Sequence, residues 1–125
     1  MRGAELNIDG SSTIPTITFK DGVLTISGRS IPLHDQNQWL KKLINIMNSY
    51  AISPNDITEI NIKLDYVNSE SSRALVNLFT IAEKIYNDGR KVIVRWYCRN
   101  NDPLMLEQAN LFQSIIEIPI MIETV

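Results

Sequence analysis

The fold is decided by one continuous stretch. It opens Thr58-Glu59-Ile60-Asn61-Ile62-Lys63-Leu64-Asp65-Tyr66-Val67, passes through Asn68-Ser69-Glu70-Ser71-Ser72-Arg73, and closes with Lys91-Val92-Ile93-Val94-Arg95-Trp96-Tyr97-Cys98. In the opening segment Ile60, Ile62, Leu64 and Tyr66 alternate with Asn61, Lys63 and Asp65, the period of a half-buried strand. Leu75, Leu78, Ala82 and Ile85 then recur at helical spacing until Asn87-Asp88-Gly89 ends the pattern, as a glycine stop does. The closing segment is β-branched and aromatic, so strand, helix and strand follow one another, and a right-handed parallel crossover is the favoured connection.

Working outward, residues 36 to 50 place Trp39, Leu40, Leu43, Ile44, Ile46, Met47 and Tyr50 at spacings of three and four, an apolar stripe on a helix that faces a sheet. Before it, Ile14, Ile17 and Phe19 lead to the turn Lys20-Asp21-Gly22 and a second β-rich run, Val23-Leu24-Thr25-Ile26-Ser27, which predicts a hairpin. After the central unit, Asp102-Pro103 is a good helix start, with Met105, Ala109 and Phe112 as the inner stripe. Ile115 to Ile122 reads as a last strand, where Pro119 points to an edge or a bulge. The predicted order is ββαβαβαβ, an α/β domain with a mixed sheet and helices packed on it. Residues 1–12, with little apolar content, read as a flexible lead-in to a single domain over 13–125.

Composition narrows the function. The chain has 125 residues, 44% of them hydrophobic and 21% charged, and a formal net charge of −2, so no global basic field exists for nucleic acid or an anionic membrane. Its one cysteine, Cys98, can form no internal disulfide and no multi-thiolate metal site, which fits a reducing compartment. The N-terminus lacks the apolar core of a secretory signal, and no run approaches the ~20 apolar residues of a membrane span. A cytoplasmic protein without membrane insertion is expected.

The usual signs of catalysis are missing. His34 is the sole histidine, so any triad or metal site would have to be built around that one ring. Neither glycine-rich phosphate-binding pattern occurs. Asp65, Glu83 and Asp102 stand singly, without the pairing that acid/base work requires; a small enzyme would need such a pair near Tyr66, His34 or Asp65. Arg90, Lys91, Arg95 and Arg99 gather around one strand next to Trp96 and Tyr97, but alternation buries one of the two aromatics and acidic residues balance the arginines. No enzyme, no cofactor, no metal and no nucleic-acid partner is the expectation.

One local feature stands apart. The octet Tyr66-Val67-Asn68-Ser69-Glu70-Ser71-Ser72-Arg73 puts three hydroxyls and an asparagine where a strand gives way to a helix. Capping of the first free N–H groups explains one or two of them. Phosphorylation of a hydroxyl is the functional reading, because a helix N-terminus tolerates an added charge of about −1.5 to −2 and its N–H groups can hold a phosphate.

At this octet the sequence resembles the SiaC family of bacterial regulatory phosphoproteins, whose pattern reads roughly Tyr-x-Asn-Thr/Ser-x-Ser-Ser-Lys. Tyr66, Asn68, Ser69, Ser71 and Ser72 fit it, as do Thr13-Ile14-Pro15, Gly28-Arg29-Ser30-Ile31-Pro32, Trp96-Tyr97, and Asp102 with Met105 and Glu107. The likeness runs from about Thr13 to Ile122. It implies a STAS-like domain, the shape of anti-sigma factor antagonists, which agrees with the element order above. It also implies a non-enzymatic switch: a GHKL-type serine/threonine kinase phosphorylates the hydroxyl after the asparagine, a PP2C-type phosphatase removes the group, and the unmodified protein binds and activates a diguanylate cyclase in cyclic-di-GMP signalling. Carried over, the phosphoacceptor is Ser69, with Ser71 and Ser72 as alternates, and Tyr66, Asn68, Glu70, Ser71, Ser72 and Arg73 form the partner- and kinase-binding surface. The alternative is an anti-sigma factor antagonist that holds an anti-sigma kinase. Ser69 and Arg73 replace the family's usual Thr and Lys with like chemistry, whereas Leu33-His34 stands where a glutamate is usual and Cys98-Arg99 where Tyr-Glu is expected.

Overall fold

A computed structural model describes residues 4–11, 14–29, 38–67 and 69–125, with the backbone alone at 69–71. The elements are β1 (Leu6–Ile8), β2 (Thr16–Lys20), β3 (Val23–Arg29), α1 (Gln38–Ile52), β4 (Ile57–Tyr66), α2 (Ser69–Asn87), β5 (Lys91–Cys98), α3 (Pro103–Gln113) and β6 (Ile120–Thr124). From Thr16 onward this is the predicted ββαβαβαβ. One strand is added within the stretch read as a lead-in: β1 pairs antiparallel with β2, Leu6 opposite Phe19 and Ile8 opposite Ile17. Three residues before Asp9-Gly10 are too short to display a period of two, which is why the sequence does not betray it.

The six strands lie in chain order, β1 to β6, in one sheet. The first three are antiparallel and β3 to β6 are parallel. The β2–β3 hairpin closes through Asp21 and Gly22, with φ of 53° and 80°, the two positive values that a type I′ turn needs and that Asp-Gly supplies. Parallel crossovers are right-handed as a rule, so three in succession between neighbouring strands put all three helices on the same face of the sheet. The packing agrees. Phe19 meets Tyr50 of α1 edge-on at 4.9 Å, the Tyr50 hydroxyl is 2.7 Å from Thr58 Oγ1, and Phe112 of α3 touches both Trp96 and Phe79 of α2. Ile17, Phe19, Leu24, Ile26, Ile60, Ile62, Val94 and Trp96 form the buried floor beneath them.

Among the described residues the opposite face of the sheet carries no helix. Its central row runs Thr18, Thr25, Asn61, Arg95 and Met121 across five strands. Two charges on this face have partners within the chain: Arg95 pairs with Glu59 at 3.3 Å, and the Lys63 ammonium sits 4.8 Å from the centroid of the Tyr97 ring. As alternation required, Trp96 is buried and Tyr97 only half-buried.

Two readings of the sequence need correcting. Tyr66, expected inward with Ile60, Ile62 and Leu64, is 55% exposed. The cause is an irregularity at Gly28/Arg29, where Gly28 aligns with Leu64 but Arg29 with Tyr66, so the alternation slips at the end of β4. The last strand begins at Ile120 rather than Ile115, because Pro119 has no N–H to give a ladder. The Gln113 side chain takes over there: its amide donates to the Ile118 carbonyl at 3.0 Å and its carbonyl accepts from the Ile120 N–H at 2.6 Å.

Candidate functional site at the start of the second helix

The site is the junction between β4 and α2. β4 ends at Tyr66 and α2 begins at Ser69, so a short connection turns the chain from strand to helix. Val67 is buried and fixes the turn from below. Ala74, Leu75, Leu78, Phe79, Ala82 and Ile85 bury the inner side of α2, at roughly 1.5–3 kcal/mol for each fully buried large side chain. The first turn of α2 is thereby held at the carboxyl ends of the parallel strands.

Of the octet, Ser69 is the first residue of α2, and Glu70, Ser71 and Ser72 complete its first turn. The N–H groups of a first turn have no partners within the helix, and the positive end of the helix dipole lies there. Ser72 is half-buried, and Arg73 and Tyr66 are exposed. Asn68 lies outside the described residues, as do His34 and the rest of residues 30–37. The start of α3 is built differently: Asp102 Oδ1 accepts from the Met105 N–H at 3.2 Å and Pro103 follows it, as the sequence predicted.

Two hollows adjoin this end of the molecule. A cleft of about 570 Å³ opens at the carboxyl ends of β3, β4 and β5, lined among others by Arg29, Lys63, Asp65, Tyr97 and Arg99. It brings Asp65 among basic side chains, a gathering that separate sequence positions do not reveal. Cys98 lies at its base, buried and unpaired. A second hollow, about 410 Å³, separates α1 from α2 and is lined among others by Leu40, Lys41, Ile44, Arg73, Ala74 and Asn77. Among the described residues no group of three or more His, Cys, Asp or Glu side chains could hold a metal ion, and no helix is long and apolar enough to cross a membrane.

The model of the SiaC family regulatory phosphoproteins matches residues 8–125. The chain belongs to this family. SiaC of Pseudomonas aeruginosa superposes with a TM-score of 0.86 at 23% identity, covering 97% of this chain and 98% of that one. A chain in the crystal structure of the diguanylate cyclase SiaD in complex with its activator SiaC, from the same species, gives 0.89 at 23% identity, covering 96% and 99%. An uncharacterized protein of Pseudomonas aeruginosa strain UCBPP-PA14 is 23% identical over 122 residues, 96% of each chain. The family and the single mixed α/β domain expected from the octet and the element order are thus those found.

Proposed function

We propose that this chain is a phosphorylation-controlled activator of a diguanylate cyclase and performs no reaction itself. In the unmodified state it binds the cyclase in the cytoplasm and activates it. A GHKL-type kinase transfers the terminal phosphoryl group of ATP to the Ser69 hydroxyl, whose proton is lost as ADP leaves, and a PP2C-type phosphatase hydrolyses the ester. A group of about −1.5 to −2 charge at a contact surface must be desolvated when a partner docks and repels any acid that faces it. The cyclase is therefore released.

The observation that carries this reading is the position of Ser69 as the first residue of α2 in a member of a regulatory phosphoprotein family. The free N–H groups of that turn stabilise added negative charge, so modification leaves the fold intact and acts at the surface. Tyr66 and Arg73, exposed on either side, supply contacts for the kinase and the cyclase, together with Asn68, Glu70, Ser71 and Ser72. The relative SiaC, described as the activator of the cyclase SiaD, supports the choice of partner.

Co-expression with the kinase of the same genome, followed by intact mass spectrometry and peptide mapping, tests the acceptor. One phosphoryl group on Ser69, absent from Ser69→Ala, is expected. Undiminished labelling of Ser71 or Ser72 in Ser69→Ala contradicts the assignment.

A further inference from the structure

The hollow between α1 and α2 has a composition that a self-contained surface does not need. Leu40 and Ile44, one turn apart on α1, and Ala74 on α2 give it apolar walls, and the short Ala74 side chain leaves the space open. Its rim carries Lys41 and Arg73, both exposed. No ion pair engages either among the described residues, in contrast to Arg95 and Arg90, which have acidic partners at 3.3 Å. The whole of α1, Gln38–Ile52, contains no carboxylate and a second exposed lysine, Lys42. An apolar trough edged by exposed cations is complementary to a segment that offers apolar side chains flanked by Asp or Glu.

Ser69 stands four residues before Arg73 on the same helix. Positions i and i+4 of a helix are surface neighbours, about 5–6 Å apart at Cβ, and a phosphate so placed is within reach of the guanidinium, the side chain best matched to it. We propose that the α1–α2 groove is the docking surface for an acidic, apolar-anchored segment of the cyclase, and that this segment and the Ser69 phosphate compete for Arg73. The proposal rests on the switch described above and specifies how it acts: phosphorylation occupies the cation and charges the mouth of the trough, rather than reshaping the domain.

The test uses the full chain, unphosphorylated, and the purified diguanylate cyclase encoded in the same genome, with affinity read by interferometry and folding by circular dichroism. Arg73→Glu and Lys41→Glu are each expected to weaken the complex about tenfold or more, and Ile44→Asp in the wall to do the same. Lys91→Glu, exposed at the far end of the sheet, leaves affinity unchanged. In an Arg73→Gln background, Ser69→Asp lowers affinity by a smaller factor than in the wild type, because the contested cation is gone. Should Ile44→Asp fail to fold, the two exposed positions decide. Wild-type affinity in both charge reversals, while Ser69→Asp still releases the cyclase, overturns the groove and leaves the switch standing. Equal losses on Ser69→Asp in both backgrounds overturn the competition for Arg73. No binding by the unmodified wild-type chain overturns the switch, and the groove with it.

Discussion

The open face of the sheet and the groove between α1 and α2 are both polar at their rims, yet their charges are handled in opposite ways. On the sheet, Arg95 is matched by Glu59 and Lys63 lies over Tyr97, so two of its charges are engaged within the chain. At the groove, Lys41 and Arg73 flank apolar walls with no ion-pair partner among the described side chains. Charges neutralised within a chain finish a surface, whereas charges left beside exposed apolar area make it specific for something else. This contrast supports the helical side, near the first turn of α2, as the docking surface proposed above.

The contrast can be broken at several strengths. The largest effect is expected beneath both regions: Trp96→Ala removes the side chain that packs on Phe112 and should cost about 3–5 kcal/mol in a denaturant titration. A smaller loss would mean that helices and sheet are less tightly joined than their ring contacts indicate. Charge reversal at Arg73 ranks next, with a loss in cyclase affinity of about tenfold, or roughly 1.4 kcal/mol, and no change in melting temperature. Asp102→Ala opens the α3 cap and should lower stability by about 0.5–2 kcal/mol, without effect on cyclase binding. Smallest is Arg95→Ala: a half-exposed pair with Glu59 contributes at most about 1 kcal/mol, so both stability and cyclase binding should stay close to wild type. A marked loss of binding in Arg95→Ala would move the docking surface to the sheet.

Much of the fold could be read from the chain because local and long-range signals agree there. The alternation of Ile60, Ile62 and Leu64, the Asp21-Gly22 turn and the Asp102-Pro103 start each specify one backbone geometry, and the structure has all three. What could not be read depends on partners distant in sequence. β1 exists because β2 offers an edge, Tyr66 turns outward because the register with β3 slips, and β6 starts late because Pro119 and the Gln113 side chain intervene. The site divides in the same way. The strand-to-helix junction with its hydroxyls was legible, and Ser69 opens α2 there. The groove was not, since Leu40 and Ile44 belong to the same apolar stripe as Leu43, Met47 and Tyr50, and periodicity does not tell the flank of a stripe from its centre. Only the position of α2 shows that Leu43, Met47 and Tyr50 are buried while Leu40 and Ile44 line a trough.

The central claim is that one phosphoryl group on Ser69 turns the cyclase partner off. The most direct measurement is the rate of cyclic-di-GMP synthesis by the purified cyclase with the unmodified chain, with the chain phosphorylated to completion by its kinase, and with Ser69→Ala after the same kinase treatment. Stimulation by the first and third and none by the second is the predicted result. Equal stimulation by all three, or a kinase-treated Ser69→Ala that no longer stimulates, would contradict it.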